Sequence, residues 1–162
     1  MKPAFLIRNR IRKNLLQPRP AVKLTESALI LITPATKSPK QIVEKFARIT
    51  GVPLLNIQVI SVEDKPGDTE YISVGISDIA WNGKIKDKNL RKILEGKYGI
   101  LFDLTGLNSD FERLIGSYPS AVFRIGLEGE YPEFYDLMLK VPDDATVITD
   151  VLAEYWDKLK IG

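Results

Sequence analysis

Asp103 closes the apolar run Ile100-Leu101-Phe102 and opens the polar turn Leu104-Thr105-Gly106-Leu107-Asn108. A carboxylate so placed can serve as a general base or as a hydroxyl acceptor, with Thr105, Gly106 and Asn108 lining the turn around it. Aspartate also builds turns by accepting bonds from nearby amides, which is the simpler role. Arg124, Lys84 and Lys86 carry the charge to hold an anion beside it. Trp81 lies close to both lysines and could grip a flat or anionic ligand, although a loop tryptophan more often plugs the edge of a domain. A second place for an anion is the loop Thr33-Pro34-Ala35-Thr36-Lys37 ahead of a helix, because helix N-termini attract negative charge. Neither glycine-rich phosphate motif is present there, so capping of the helix by Ser38, Pro39 and Gln41 is the simpler reading.

What is missing narrows the chemistry further. The 162 residues include no cysteine and no histidine. This removes disulfides, thiolate metal sites, thiol nucleophiles, the usual serine–histidine triads and most zinc sites. A metal would need oxygen ligands of the magnesium or calcium type, and the acidic loop 127–133 fits no calcium-loop spacing. No catalytic, metal or cofactor-binding residue is assigned, and the balance leans away from an enzyme.

The net charge of +2 is unevenly spread. Lys2, Arg8, Arg10, Arg12, Lys13, Arg19 and Lys23 all precede the first acid, Glu26, and the remainder of the chain is net acidic. Residues 3–16 read as a short basic helix with Ala4, Ile7, Ile11 and Leu15 on one face. Gln17-Pro18-Arg19-Pro20 breaks it. Such an arm can dock its apolar face on the domain and leave its charges in solvent. It can also meet a protein partner or an anionic membrane surface through Arg8, Arg10, Arg12 and Lys13. Nucleic acid ranks lower, since no aromatic residue interleaves with the arginines. No apolar run reaches the roughly 20 residues needed to span a bilayer. The cytoplasm is the expected compartment, with a peripheral membrane contact as the variant.

The elements that would position these residues alternate. Apolar runs at 28–32, 57–62, 71–76, 98–103, 121–126 and 135–141 read as strands. Helical spacing appears after Ser38, after Asp87 and after Ser109, and again over about 146–160, where Ile148, Val151, Leu152, Tyr155 and Leu159 form a stripe flanked by Trp156. Ser109-x-x-Glu112 is a capping box, and Tyr118-Pro119 stops the helix that it starts. A short helix between two strands favours a parallel, right-handed crossover, so Asp103 falls at a strand's carboxyl end, where open α/β sheets place ligands. The expectation is one α/β domain over 24–162, a three-layer α/β/α sandwich with a mainly parallel, Rossmann-like sheet, preceded by a basic helical arm and linker over 1–23.

Two resemblances attach to these residues. Trp81-x-Gly83-Lys84-Ile85-Lys86, Phe102-Asp103, Ala121-x-Phe123-Arg124-Ile125-Gly126 and Tyr135-Asp136-Leu137-Met138 resemble an uncharacterised bacterial domain family of small stand-alone proteins with a basic N-terminal helix. That family continues its central strand with Leu-Ile-x-Tyr-Tyr, where this chain has Asp103-Leu104-Thr105-Gly106. It has no assigned activity. More distantly, residues 98–141 are similar to the acceptor-side half of heptosyltransferase-like glycosyltransferases. That likeness implies a Rossmann-like half without the donor-binding domain and closed cleft that transfer requires. Taken together, these readings favour a non-enzymatic binding or adaptor domain. The alternative is a small-ligand protein, for an anionic or sugar-phosphate-like molecule, or an enzyme related to that acceptor half.

Overall fold

The computed structural model describes residues 4–63, 70–141 and 148–159. The elements are α1 (Ala4–Leu15), β1 (Ala28–Ile32), α2 (Pro39–Thr50), β2 (Ile57–Val62), β3 (Ile72–Val74), α3 (Lys88–Leu94), β4 (Lys97–Asp103), α4 (Asp110–Ser117), β5 (Ser120–Leu127), β6 (Leu137–Leu139) and α5 (Ile148–Leu159). Single 3-10 turns lie at Leu54–Asn56, Ile76–Asp78 and Pro132–Phe134. Most of the polar turn expected after β2 and the lead-in to the last helix lie outside the described residues.

The six strands form one sheet in the order β3-β2-β1-β4-β5-β6, and every pairing is parallel. The central strands explain why. β1 is buried along its whole length, and β4 from Tyr98 onward. Strands covered on both faces belong to parallel sheets with helices above and below. The chain runs outward from β1 through β2 to β3, then returns to β4 and continues the other way. Order therefore reverses between β1 and β4, the place where crevices open in such folds.

Side chains alternate across the sheet. Ala28, Ile30 and Ile32 face one core with Phe46 of α2 and Leu152 and Trp156 of α5. Leu29 and Leu31 face the other core, with Leu90 and Leu94 of α3 and Leu114 and Ile115 of α4. The amides of Gly99 and Ile100 both donate to the Ser27 carbonyl, which offsets the alternation of β4 there. Only glycine fits at 99, because a Cβ would collide with the backbone of Leu24.

The expected mainly parallel sheet is wholly parallel among the described strands, while several local expectations change. β3 shrinks to Ile72–Val74, and the sixth strand to Leu137–Leu139 after a 3-10 turn. Ser38 does not cap α2: its φ is 52°, in the left-handed region, and its side chain makes no cap bond. In α5 the buried stripe is Ile148, Thr149, Leu152 and Trp156, while Tyr155 and Leu159 are largely exposed. Trp156 thus belongs to the core, edge-on to Phe123 at 6.2 Å. The basic helix docks its apolar face on the domain, the simpler of its two expected roles: Ile7 is buried against the α3–α4 core with Ile11 packed beside it.

Candidate functional site

Asp103 ends β4 with its side chain at 0% exposure. Its Oδ1 accepts from the Thr105 amide at 2.9 Å and from Thr105 Oγ1 at 2.7 Å, the geometry of an aspartate-closed turn. Its Oδ2 accepts from Tyr135 Oη at 2.7 Å. Two glycines make room for this arrangement. A Cβ on Gly116 of α4 would lie 2.8 Å from Asp103 Oδ2, and one on Gly126 of β5 would penetrate the Tyr135 ring. Burial pushes the Asp103 carboxyl above its usual value, against the opposing pull of Tyr135, Thr105 and the Arg124 charge. Burial, with the Asp103 charge beside it, also drives the Tyr135 hydroxyl well above its usual value, so it stays protonated and donating.

Arg124 stands on β5 beside the same network. Its guanidinium donates to the carbonyls of Phe134 and Pro119, each at 2.7 Å, and to that of Gly116. The planar fork therefore ties the end of α4 to the Pro132–Phe134 turn. Burial presses the Arg124 pKa below its ordinary value, with Asp103 opposing. The remaining turn residues are tied down as well. Asn108 Nδ2 donates to the Thr105 carbonyl at 3.2 Å, and Glu112 Oε1 accepts from the Asn108 amide at 2.9 Å. Gly106 takes a φ of 83° and Leu107 one of 55°, so two consecutive left-handed residues shape this loop. The loop after β1 is closed by Thr33 and Thr36 bonding to each other's backbone.

Trp81, Lys84 and Lys86 lie on a turn flanked by the Ile79–Ile85 bridge. The indole is 66% exposed, so it does not plug the domain edge. Among the described residues no hydrogen bond or ion pair joins either lysine to Asp103 or Arg124, and neither lysine lines the cavity that Arg124 reaches. Gly83 of this turn packs against Ile7 and Arg10 of α1, and its carbonyl accepts from Tyr118 Oη. Arg10 is accordingly turned inward, with its Nε buried and unpartnered among the described residues. Arg8, Arg12 and Lys13 are exposed.

Two concavities adjoin α1. The first, about 640 Å³, lies between the end of α1 with the linker after it, residues 14–21, and the amino ends of β4 and β5, and reaches Arg124 and Tyr135 but not Asp103. Arg19 pins the linker across it by a two-pronged bond to Asp136, at 2.5 and 2.7 Å, and by a bond to the Val122 carbonyl. Burial pulls the Asp136 pKa up, but the Arg19 bond and the Arg124 amide outweigh it and hold the carboxyl below its usual value. The second is a groove of about 620 Å³ between α1, α4 and the Pro132–Phe134 turn. Arg8 and Arg12 stand on its α1 wall, Glu133 stands opposite, and Ile11, Leu15, Leu16 and Phe134 give it an apolar lining.

The sequence held no signal for Tyr135 and Asp136 as partners of Asp103 and Arg19. Those contacts span 32 and 117 residues, and periodicity reports only local spacing. Among the described residues no group of acidic side chains is placed to hold a metal ion, and no helix is long and apolar enough to cross a membrane.

No curated protein and no solved structure matches the chain. Neither comparison supports the likeness to heptosyltransferase-like glycosyltransferases. One family model does match, and it covers residues 4–159, from the docked basic helix to the end of α5. The chain belongs to this family of unknown function (DUF6913).

Proposed function

We propose that this protein is a non-enzymatic binding module whose contact surface is the outward side of α1. The observation that carries the reading is how α1 is docked. Ile7 is buried, and Ile11 packs against the same core, while Arg8, Arg12 and Lys13 are left in solvent between the exposed Phe5 and Leu16. The groups best suited to chemistry, Asp103 and Arg124, are spent on internal bonds. A protein surface fits better than a bilayer. An interfacial helix binds membranes by inserting an apolar face, and α1 has already given its own to the domain.

The second reading is a small anionic ligand in the linker cavity, favoured by its size and by Lys97 on its wall. A thermal-shift panel of nucleotides, sugar nucleotides and phosphosugars separates the two, because a ligand that binds the native state raises its melting temperature. The binding-module reading expects no shift at millimolar ligand. A saturable shift of several degrees transfers the assignment to the cavity. Salt-sensitive co-sedimentation with anionic vesicles, lost on reversing Arg8, Arg12 and Lys13, would put a membrane in place of the protein partner.

A further inference from the structure

The groove beside α1 has walls of opposite charge. Arg8 and Arg12 line one side, and Glu133 lines the other, close in sequence to the exposed acidic residues Glu128 and Glu130. Arg8, Arg12 and Glu133 make no ion pair among the described residues, whereas the charges on α4 between them are already satisfied: Arg113 holds Asp110 at 2.7 Å and lies over the Tyr131 ring at 4.5 Å. The lining between the walls is apolar and open, with Leu16 at 77% exposure. A uniformly acidic partner would meet Glu133, and a uniformly basic one would meet Arg8 and Arg12. One surface that complements a basic wall, an apolar lining and an acidic wall is the same surface rotated by half a turn. That is the requirement for an interface in which one patch meets itself across a two-fold axis.

We propose that the occupant of this groove is a second copy of this chain, paired through a two-fold axis that crosses the groove. Arg8 and Arg12 of each copy face Glu133 of the other, and the two Leu16 side chains are buried between them. The pairing rests on the binding-module reading and names its partner. A stable interface buries about 1,200–2,000 Å² in total. The patch has material beyond the groove for that area, in Phe5 at 71% exposure on α1 and in the exposed Glu128 and Glu130.

The test is sedimentation equilibrium on the full chain, with melting temperature recorded for each variant as a folding control. The wild type is expected at twice the monomer mass in the micromolar range, with association weakening as salt rises. Arg12→Glu and Glu133→Arg, each alone, place like charges together twice per dimer and are expected to weaken association at least ~10-fold. Mixing the two variants restores it, because both cross-axis pairs then have opposite signs. Leu16→Asp is expected to abolish association without disturbing the fold, since the side chain is exposed. Lys40→Glu, exposed at the start of α2 on the other side of the sheet, is expected to change nothing. A monomeric wild type at ~100 μM, or a mixture that fails to restore pairing, overturns the proposal. A monomer together with a flat small-ligand panel would leave the binding-module reading standing. A dimer that nevertheless binds a sugar nucleotide would uphold the pairing and overturn the binding-module reading.

Discussion

Asp103 illustrates how a residue type suggests one role and its surroundings impose another. A carboxylate at a strand end can be a base, but here three donors reach it and no solvent does. A buried carboxylate is costly when ionised unless its bonds repay the lost water. Its folded-state pKa lies above the ordinary 3.8, so its contribution to stability is fully present below 3.8 and is lost as pH rises through the raised folded value. Asp103→Asn removes that ionisation. The amide oxygen can keep the Thr105 bonds, and the amide nitrogen can donate to the Tyr135 oxygen. The stability of the variant relative to wild type is therefore expected to be lowest below pH 3.8 and to climb as pH rises above it through the raised folded-state value. Asp136, whose pKa is depressed, loses stability as pH falls below 3.8, but it does so in both proteins and cancels in the difference. Urea unfolding across that range measures it, and a difference that is flat or largest in acid sinks the account. The turn-forming role was legible from Asp103-Leu104-Thr105-Gly106 alone. The Tyr135 partner was not, because nothing local marks a contact made through Gly126.

At the scale of elements, patterns that depend on spacing survived and those that depend on a neighbour shifted. Ser109 caps α4 as the motif implies, accepting from the Glu112 amide at 3.1 Å. Ser38 has the same residue type before the same kind of helix, yet the loop delivers it in a left-handed conformation with no cap bond. In α5, the stripe drawn through Tyr155 and Leu159 misses by one position: Trp156 is the buried residue there, edge-on to Phe123. The docking of α1 follows its expected apolar face. Its apolar face was visible from Ile7, Ile11 and Leu15, but its depth was not. Ile7 is 6% exposed, and Asn14 Nδ2 donates to Ser117 Oγ of α4 at 3.0 Å. Ile7→Ala is therefore expected to cost about 2–4 kcal/mol of global stability, as for any large-to-small change in a packed core. Denaturant melts of wild type and variant measure it. A loss below ~0.5 kcal/mol would mean that α1 is a detachable arm after all.

At the scale of the whole molecule, the parallel sandwich was readable because strands buried on both faces leave continuous apolar runs, while strand order was not, because β1 carries no mark that β4 will be its neighbour. The uneven charge was equally visible. Its consequence depends on the fold, which sets the basic helix opposite the Pro132–Phe134 turn across one groove. If two copies pair there, folding and association are linked, and the melting temperature must depend on concentration. Each tenfold rise in protein adds about 1.4 kcal/mol per dimer. Against the unfolding entropy of two chains of this length, that moves the midpoint by about 2 °C. Scanning calorimetry of wild type over two decades of concentration is expected to show that drift. The same scans of Arg12→Glu are expected to lie about 2 °C or more below those of wild type at each concentration where the wild type is paired, the displacement that a tenfold loss of association gives. A wild-type midpoint that stays put across both decades would mean that the charged groove stands empty of a second copy.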